Sequence, residues 1–168
     1  MADYRRLIPF IKRWEGGFCC VVGDRGGATN EGITLATFQH YFGANMTKEN
    51  LKNMTESQWE HIYKIGFWDK WRADEIGSMR VAAMLVDWVW ASGSWGIIIP
   101  QRVLGLKQDG VVGIKTLSAV NNSEPITLFA KLYKARKEFY EGIVARQPSQ
   151  RKFLAGWLNR LNSLAKSF

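Results

Sequence analysis

Cysteine is nearly absent from this chain: its 168 residues hold two, Cys19 and Cys20, side by side. Adjacent cysteines close only a strained disulfide, so no disulfide framework is expected. Histidine is as scarce. His40 and His61 stand far apart, no His/Cys spacing fits a zinc site, and neither a metal nor another cofactor is expected. Long apolar runs are missing too, and none approaches the roughly 18 residues of a membrane span. The opening Met1-Ala2-Asp3-Tyr4-Arg5-Arg6 lacks the apolar core of about 7–15 residues that marks an export signal. The expectation is a chain made in the cytoplasm without a signal peptide, whose export would need a route encoded elsewhere. No internal repeat or low-complexity segment interrupts it.

Acidic residues are the minority, 15 against 23 lysines and arginines, for a formal net charge of +8. Such a surface favours encounters with polyanions, among them nucleic acid, anionic lipid and bacterial cell wall. Charge does not choose among them, but no helix-turn-helix or RNA-binding signature accompanies it, so nucleic acid is not expected. Oligomeric state is not readable. Hydrophobic residues, by contrast, make up 46%, enough for a packed core in one domain or a domain with a small lobe.

Apolar spacing predicts a mainly α protein. Tyr4, Leu7, Ile8, Ile11 and Trp14 recur at helical intervals behind an Asp3 cap. Pro9 requires this helix either to bend or to start there. Gly16 and Gly17 end it, leaving Glu15 in its last turn. Residues 18–34 change character. Phe18 to Val22 favour a short strand, and the glycines, Asp24 and Asn30 that follow are turn chemistry, which predicts a small β-hairpin or irregular loop. Thr55-Glu56-Ser57-Gln58 is a capping box for a helix to about Gly66. Val81–Ala91 is apolar nearly all round and reads as a central buried helix. Short helices are expected over 101–106 and 113–120, with a long one from Pro125 to about Val144. A last helix carries Phe153, Leu154, Trp157, Leu158, Leu161 and Leu164 on one stripe. The stretch from Gly96 to Pro100 is too apolar for a flexible linker. Residues 1–96 and 97–168 are therefore expected to pack as one unit.

Glu15 is the leading candidate for chemistry. It sits between Trp14 and Phe18, and a carboxyl group in an aromatic, partly dry setting suits a general acid for a glycosidic oxygen. Gly16 and Gly17 allow close approach of a bulky substrate. Asp24 and Thr29 lie in a loop able to fold back towards Glu15, where a second carboxylate orients water or stabilises charge at the sugar carbon. Glu31 is a rival for that role, and Asp24 could equally be a turn residue. Eight tryptophans is a high count for this length. Trp59, Trp88 and Trp157 fall on core stripes, whereas Trp68, Trp71, Trp90 and Trp95 gather near helix ends where a cleft could use them. Asp87, inside the apolar helix, must be paired or protonated.

Glu15-Gly16-Gly17, followed by Asp24-Arg25-Gly26-Gly27-Ala28-Thr29-Asn30-Glu31-Gly32-Ile33-Thr34, resembles the glycoside hydrolase family 108 N-acetylmuramidases, also described as secretion activator proteins. The similarity continues through Phe67-Trp68, Asp87 to Gly93, and Leu104-Gly105-Leu106 with Asp109-Gly110-Val111-Val112-Gly113. The last of these is similar to the family's peptidoglycan-binding region. Phe153 to Arg160 is similar as well. The resemblance implies a lysozyme-like α fold, with a catalytic part over 1–96 and a peptidoglycan-binding part over 97–168. It also implies hydrolysis of the β-1,4 bond between N-acetylmuramic acid and N-acetylglucosamine, with bacterial peptidoglycan as partner and action in the periplasm or cell wall. Its catalytic glutamate falls on Glu15. The order Glu15, Asp24, Thr29 is similar to the Glu–Asp–Thr triad of phage endolysins, although the second gap is one residue short. Gly16, Gly17, Asn30, Trp68, Asp87 and Ser92 fall at positions expected to meet substrate, Ser92 standing where relatives carry asparagine. A lytic transglycosylase and a non-catalytic wall or nucleic-acid binder remain alternatives.

Overall fold

The computed structural model describes residues 1–20 and 27–168. At the N-terminus the Asp3 carboxylate accepts from the Arg5 amide at 3.0 Å and caps a 3-10 turn, Tyr4–Arg6. Helix α1 follows over Ile8–Arg13 with Pro9 in its first turn. The helix thus starts at the proline and does not bend there: a first-turn residue has no intrahelical acceptor for the N–H that proline lacks.

The segment expected to be a hairpin is a three-stranded antiparallel sheet, β1 (Cys19–Cys20), β2 (Ala28–Asn30) and β3 (Ile33–Thr34), in that order. Cys19 pairs with Thr29, and Thr29 with Thr34. Thr34 then caps α2 (Leu35–Phe42). Helix α3 (Lys48–Lys52) and helix α4 (Glu56–Tyr63) each begin at a capping box, with Thr47/Asn50 and Thr55/Gln58. Beyond α4 a single π turn, Lys64–Trp68, carries the chain on past Gly66.

Helix α5 (Met79–Ser92) is the axis of the molecule, and every residue from Val81 to Val89 on it is buried. Helix α6 (Trp95–Val103) packs against it, so the apolar stretch from Gly96 to Pro100 is helix, with Pro100 inside it, and the helix expected over 101–106 begins earlier. Gly96 makes this crossing possible: a Cβ there would lie 2.4 Å from the Val89 amide nitrogen and 2.5 Å from the Trp88 carbonyl carbon. Trp71 fastens the same point, its indole N–H donating to the Gly96 carbonyl at 3.1 Å. Buried Gln101 holds the following loop, donating to the Asp109 carboxylate at 2.9 Å and accepting from the Gly110 amide at 2.9 Å.

Helices α7 (Ile114–Asn121), α8 (Pro125–Arg146) and α9 (Arg151–Ser167) complete the chain. Both α8 and α9 pack on α5. One hydrophobic cluster runs through Leu7 and Phe10 of the N-terminal segment, through α5, and on to Leu132 of α8 and Leu161 and Leu164 of α9. The fold is mainly α and lysozyme-like.

Candidate functional site

Glu15 follows directly on α1, its amide bonded to the Lys12 carbonyl at 3.2 Å. Its neighbour Gly16 accepts from the Glu31 amide at 3.1 Å, and this bond pins the motif to the turn between β2 and β3. That turn brings Gly32 against the carboxylate. A Cβ on Gly32 would stand 2.7 Å from Glu15 Oε2 and 2.5 Å from the Trp90 ring, at a φ of +79° that side-chain-bearing residues avoid. Only glycine fits.

The other carboxylate oxygen is held firmly. Trp90 donates its indole N–H to Glu15 Oε1 at 2.7 Å, and Arg160 donates from Nη1 to the same atom at 2.8 Å. The aromatic, partly dry setting expected around Glu15 is present, its side chain 17% exposed, but a cation stands inside it. Arg160 comes from α9, 145 residues further along the chain.

Arg160 is held in turn. Its Nε and Nη2 donate to Asp87 Oδ1 at 3.1 and 2.7 Å, and the buried Arg136 on α8 pairs with Asp87 Oδ2 at 2.7 Å. Burial alone would push the Asp87 carboxyl up, but Arg136 and Arg160 together hold it below the usual carboxylate range. Burial likewise opposes the charge on Arg160, and Asp87 and Glu15 raise its pKa despite that. The result is a line of alternating charge, Glu15–Arg160–Asp87–Arg136, crossing from the segment just after α1 through α9 and α5 to α8.

A cavity of about 1160 Å³ opens beside Glu15. Trp14, Gly32, Trp90 and Ser92 line it near the carboxylate, and residues of α6, α8 and α9 extend it. Of the residues expected to meet substrate, Ser92 is in this lining, and Gly16 and Gly17 are exposed, with nothing among the described residues within 4 Å of a Cβ placed on either. Three depart from expectation. Trp68 is fully buried, its indole donating to the Asp74 carboxylate at 2.8 Å, so no ring face is left for a sugar. Asp87 is equally buried and reaches the cavity only through Arg160. The Asn30 amide donates to the carbonyls of Leu51 at 2.9 Å and Lys52 at 3.2 Å, clasping the sheet to α3. Thr29 lies in the central strand, partly buried. Glu31 turns to Lys12, with which it pairs at 3.3 Å. Asp24 lies outside the described residues.

Sequence reasoning missed Arg160, Arg136 and the tight fit at Gly32. A signal for the arginines existed. Asp87 in an apolar helix demanded a cation, and Arg136 and Arg160 each stand on the inward stripe of their helix, four residues from Leu132 and Leu164 respectively.

A helical lysozyme-like fold with a clamped glutamate at the mouth of a cavity defines the class of protein. Residues 8–93 match the family model described as glycosyl hydrolase 108, and the chain belongs to that family. Residues 95–162 match a second model, the predicted peptidoglycan domain. Together these assignments make the chain a protein of the peptidoglycan-hydrolase kind. Among solved structures, that of SagA from Brucella abortus is similar at 30% identity with a TM-score of 0.84, covering 97% of this chain and 91% of that one. A search of curated proteins finds no match.

Proposed function

We propose that this protein is an N-acetylmuramidase, hydrolysing the β-1,4 bond between N-acetylmuramic acid and N-acetylglucosamine, with Glu15 as general acid. The observation that carries this reading is the asymmetric hold on the Glu15 carboxylate. Oε1 is saturated by Trp90 and Arg160, while Oε2 faces the space left by Gly32 at the cavity edge. Oε2 is therefore the oxygen from which a proton can be donated.

In the reaction a proton passes from Glu15 to the glycosidic oxygen as the bond from the muramic acid C1 breaks, a water adds its oxygen to C1, and the proton that this water releases restores the Glu15 carboxyl in net. As the proton leaves, negative charge grows on Glu15, and its attraction to Arg160 strengthens. An interaction that strengthens along the reaction lowers its barrier, whereas one of constant strength does not. Asp24 and Thr29 assist at the water or at the developing sugar cation. Ser92, Gly16 and Gly17 contact the substrate. The site of action is the periplasm or cell wall.

The test is product analysis of purified peptidoglycan digested by the wild-type chain. Muropeptides with a reducing N-acetylmuramic acid end are expected. Anhydro-muramic ends would mean that an internal hydroxyl, not water, attacks C1, and would replace the hydrolase by a transglycosylase.

A further inference from the structure

The cavity continues well past the atoms that would touch the scissile bond. Its far wall carries a row of aromatic rings: Trp95 to Phe139 at 6.1 Å, Phe139 to Tyr140 at 5.8 Å, and Tyr140 to Trp157 at 5.4 Å. Trp95 is 51% exposed, leaving part of its ring open to solvent. Two arginines also line the cavity, Arg102 in the last turn of α6 and Arg146 in the last turn of α8. Neither forms a salt bridge among the described residues. The Arg146 guanidinium folds back over Gly142, where a Cβ would lie 3.2 Å from Nη1.

A cation at a helix C-terminus suits the helix dipole, and one such arginine would call for no other account. Two of them lining one cavity together with a row of aromatic rings is more than the helices require. Aromatic faces serve neutral sugars and peptide alike, but two unpaired guanidinium groups select carboxylates, which they bind in paired hydrogen bonds. Peptidoglycan carries its carboxylates chiefly on the short peptide hanging from muramic acid, beside the bond that Glu15 would cleave. Glu138, also in the lining, stands 3.9 Å from Lys134 and so has a cation of its own.

We propose that the α6–α8 end of this cavity binds the carboxylates of the peptidoglycan stem peptide through Arg102 and Arg146. This deepens the muramidase reading and rests on it.

The test uses the full chain carrying Glu15→Gln, which stops turnover, and calorimetric binding of three probes. These are the disaccharide bearing a tripeptide with free carboxylates, the same compound with its carboxylates amidated, and the bare disaccharide. The free-acid peptide form is expected to bind about tenfold more tightly than the amidated form. Adding Arg102→Gln and Arg146→Gln together should cut that preference to within about twofold, and the corresponding double lysine variant should restore part of it. Circular dichroism checks the fold of each. Equal binding of free and amidated forms, or a preference that survives the double glutamine change, overturns the proposal. Failure of the muramidase reading is distinguishable: wild type would leave purified peptidoglycan uncut while the free-acid preference stood.

Discussion

At the residue scale the proposed activity turns on a carboxylate with two unlike oxygens. Arg160 is the residue whose loss should be felt twice. Arg160→Met leaves Asp87 with one cation where it had two, and removing one partner of a buried charge network costs about 3–5 kcal/mol. It also leaves Glu15 Oε1 held by Trp90 alone, so activity should fall further than the lost stability explains. Arg160→Lys should recover stability better than kcat, because a lysine cannot bridge two carboxylates in one plane. Denaturant titration and lysis rates on the same samples separate the two effects. Gly32→Ala should act in the opposite proportion. The strain of a side chain at this φ costs about 1–2 kcal/mol, whereas the Cβ would press on both Glu15 Oε2 and Trp90. Near-complete loss of activity with only modest loss of stability is expected. Acid stability follows from Asp87. Its carboxyl is depressed in the folded chain, so the stability it contributes is complete above the unfolded value near 3.8 and is lost as pH falls through the lower folded value. Asp87→Asn should therefore be less stable than wild type at neutral pH, and the gap should narrow below about pH 4 in urea titrations at stepped pH.

At the element scale, much was legible where local chemistry decides. The capping box at Thr55, the buried run of α5 and the proline that opens α8 were readable because each feature acts within a few residues. Helix α6 was not, because an internal proline normally ends a helix. Here Gly96 lets α6 lie directly on the α5 backbone, and burial of Ile97 and Ile99 outweighs the missing hydrogen bond. Gly96→Ala should show this most cleanly, since overpacking of this kind costs about 1–3 kcal/mol. A lowered denaturation midpoint with an unchanged m-value is the expected result in guanidinium. The candidate site was legible only in its first strand of logic. Glu15 and its glycines are contiguous, and Trp90 was one of four tryptophans that could have lined a cleft. Trp68 and Trp71 looked like cleft residues because they stand near helix ends, yet the π turn and the 3-10 turn after it rotate both inward.

At the scale of the whole molecule, the two family matches meet inside one charge network. Glu15 and Asp87 lie within residues 8–93, and Arg136 and Arg160 within residues 95–162. The half matched to the predicted peptidoglycan domain supplies the cation that holds the glutamate of the other half. Residues 1–96 expressed alone should therefore be insoluble or molten, with the apolar face of α5 uncovered and Asp87 unpaired. A soluble, cooperatively unfolding and active fragment would show instead that the halves are separable modules.

The proposed activity depends on Glu15 being the acid, and clearing of a suspension of purified peptidoglycan by wild type and by Glu15→Gln tests that claim most directly. Glutamine keeps the size and an acceptor for Trp90 and Arg160 but has no proton to give. With circular dichroism unchanged, the lysis rate should fall by about 10²–10⁴-fold. A rate within about threefold of wild type, far short of the loss expected when a general acid is removed, would contradict the account.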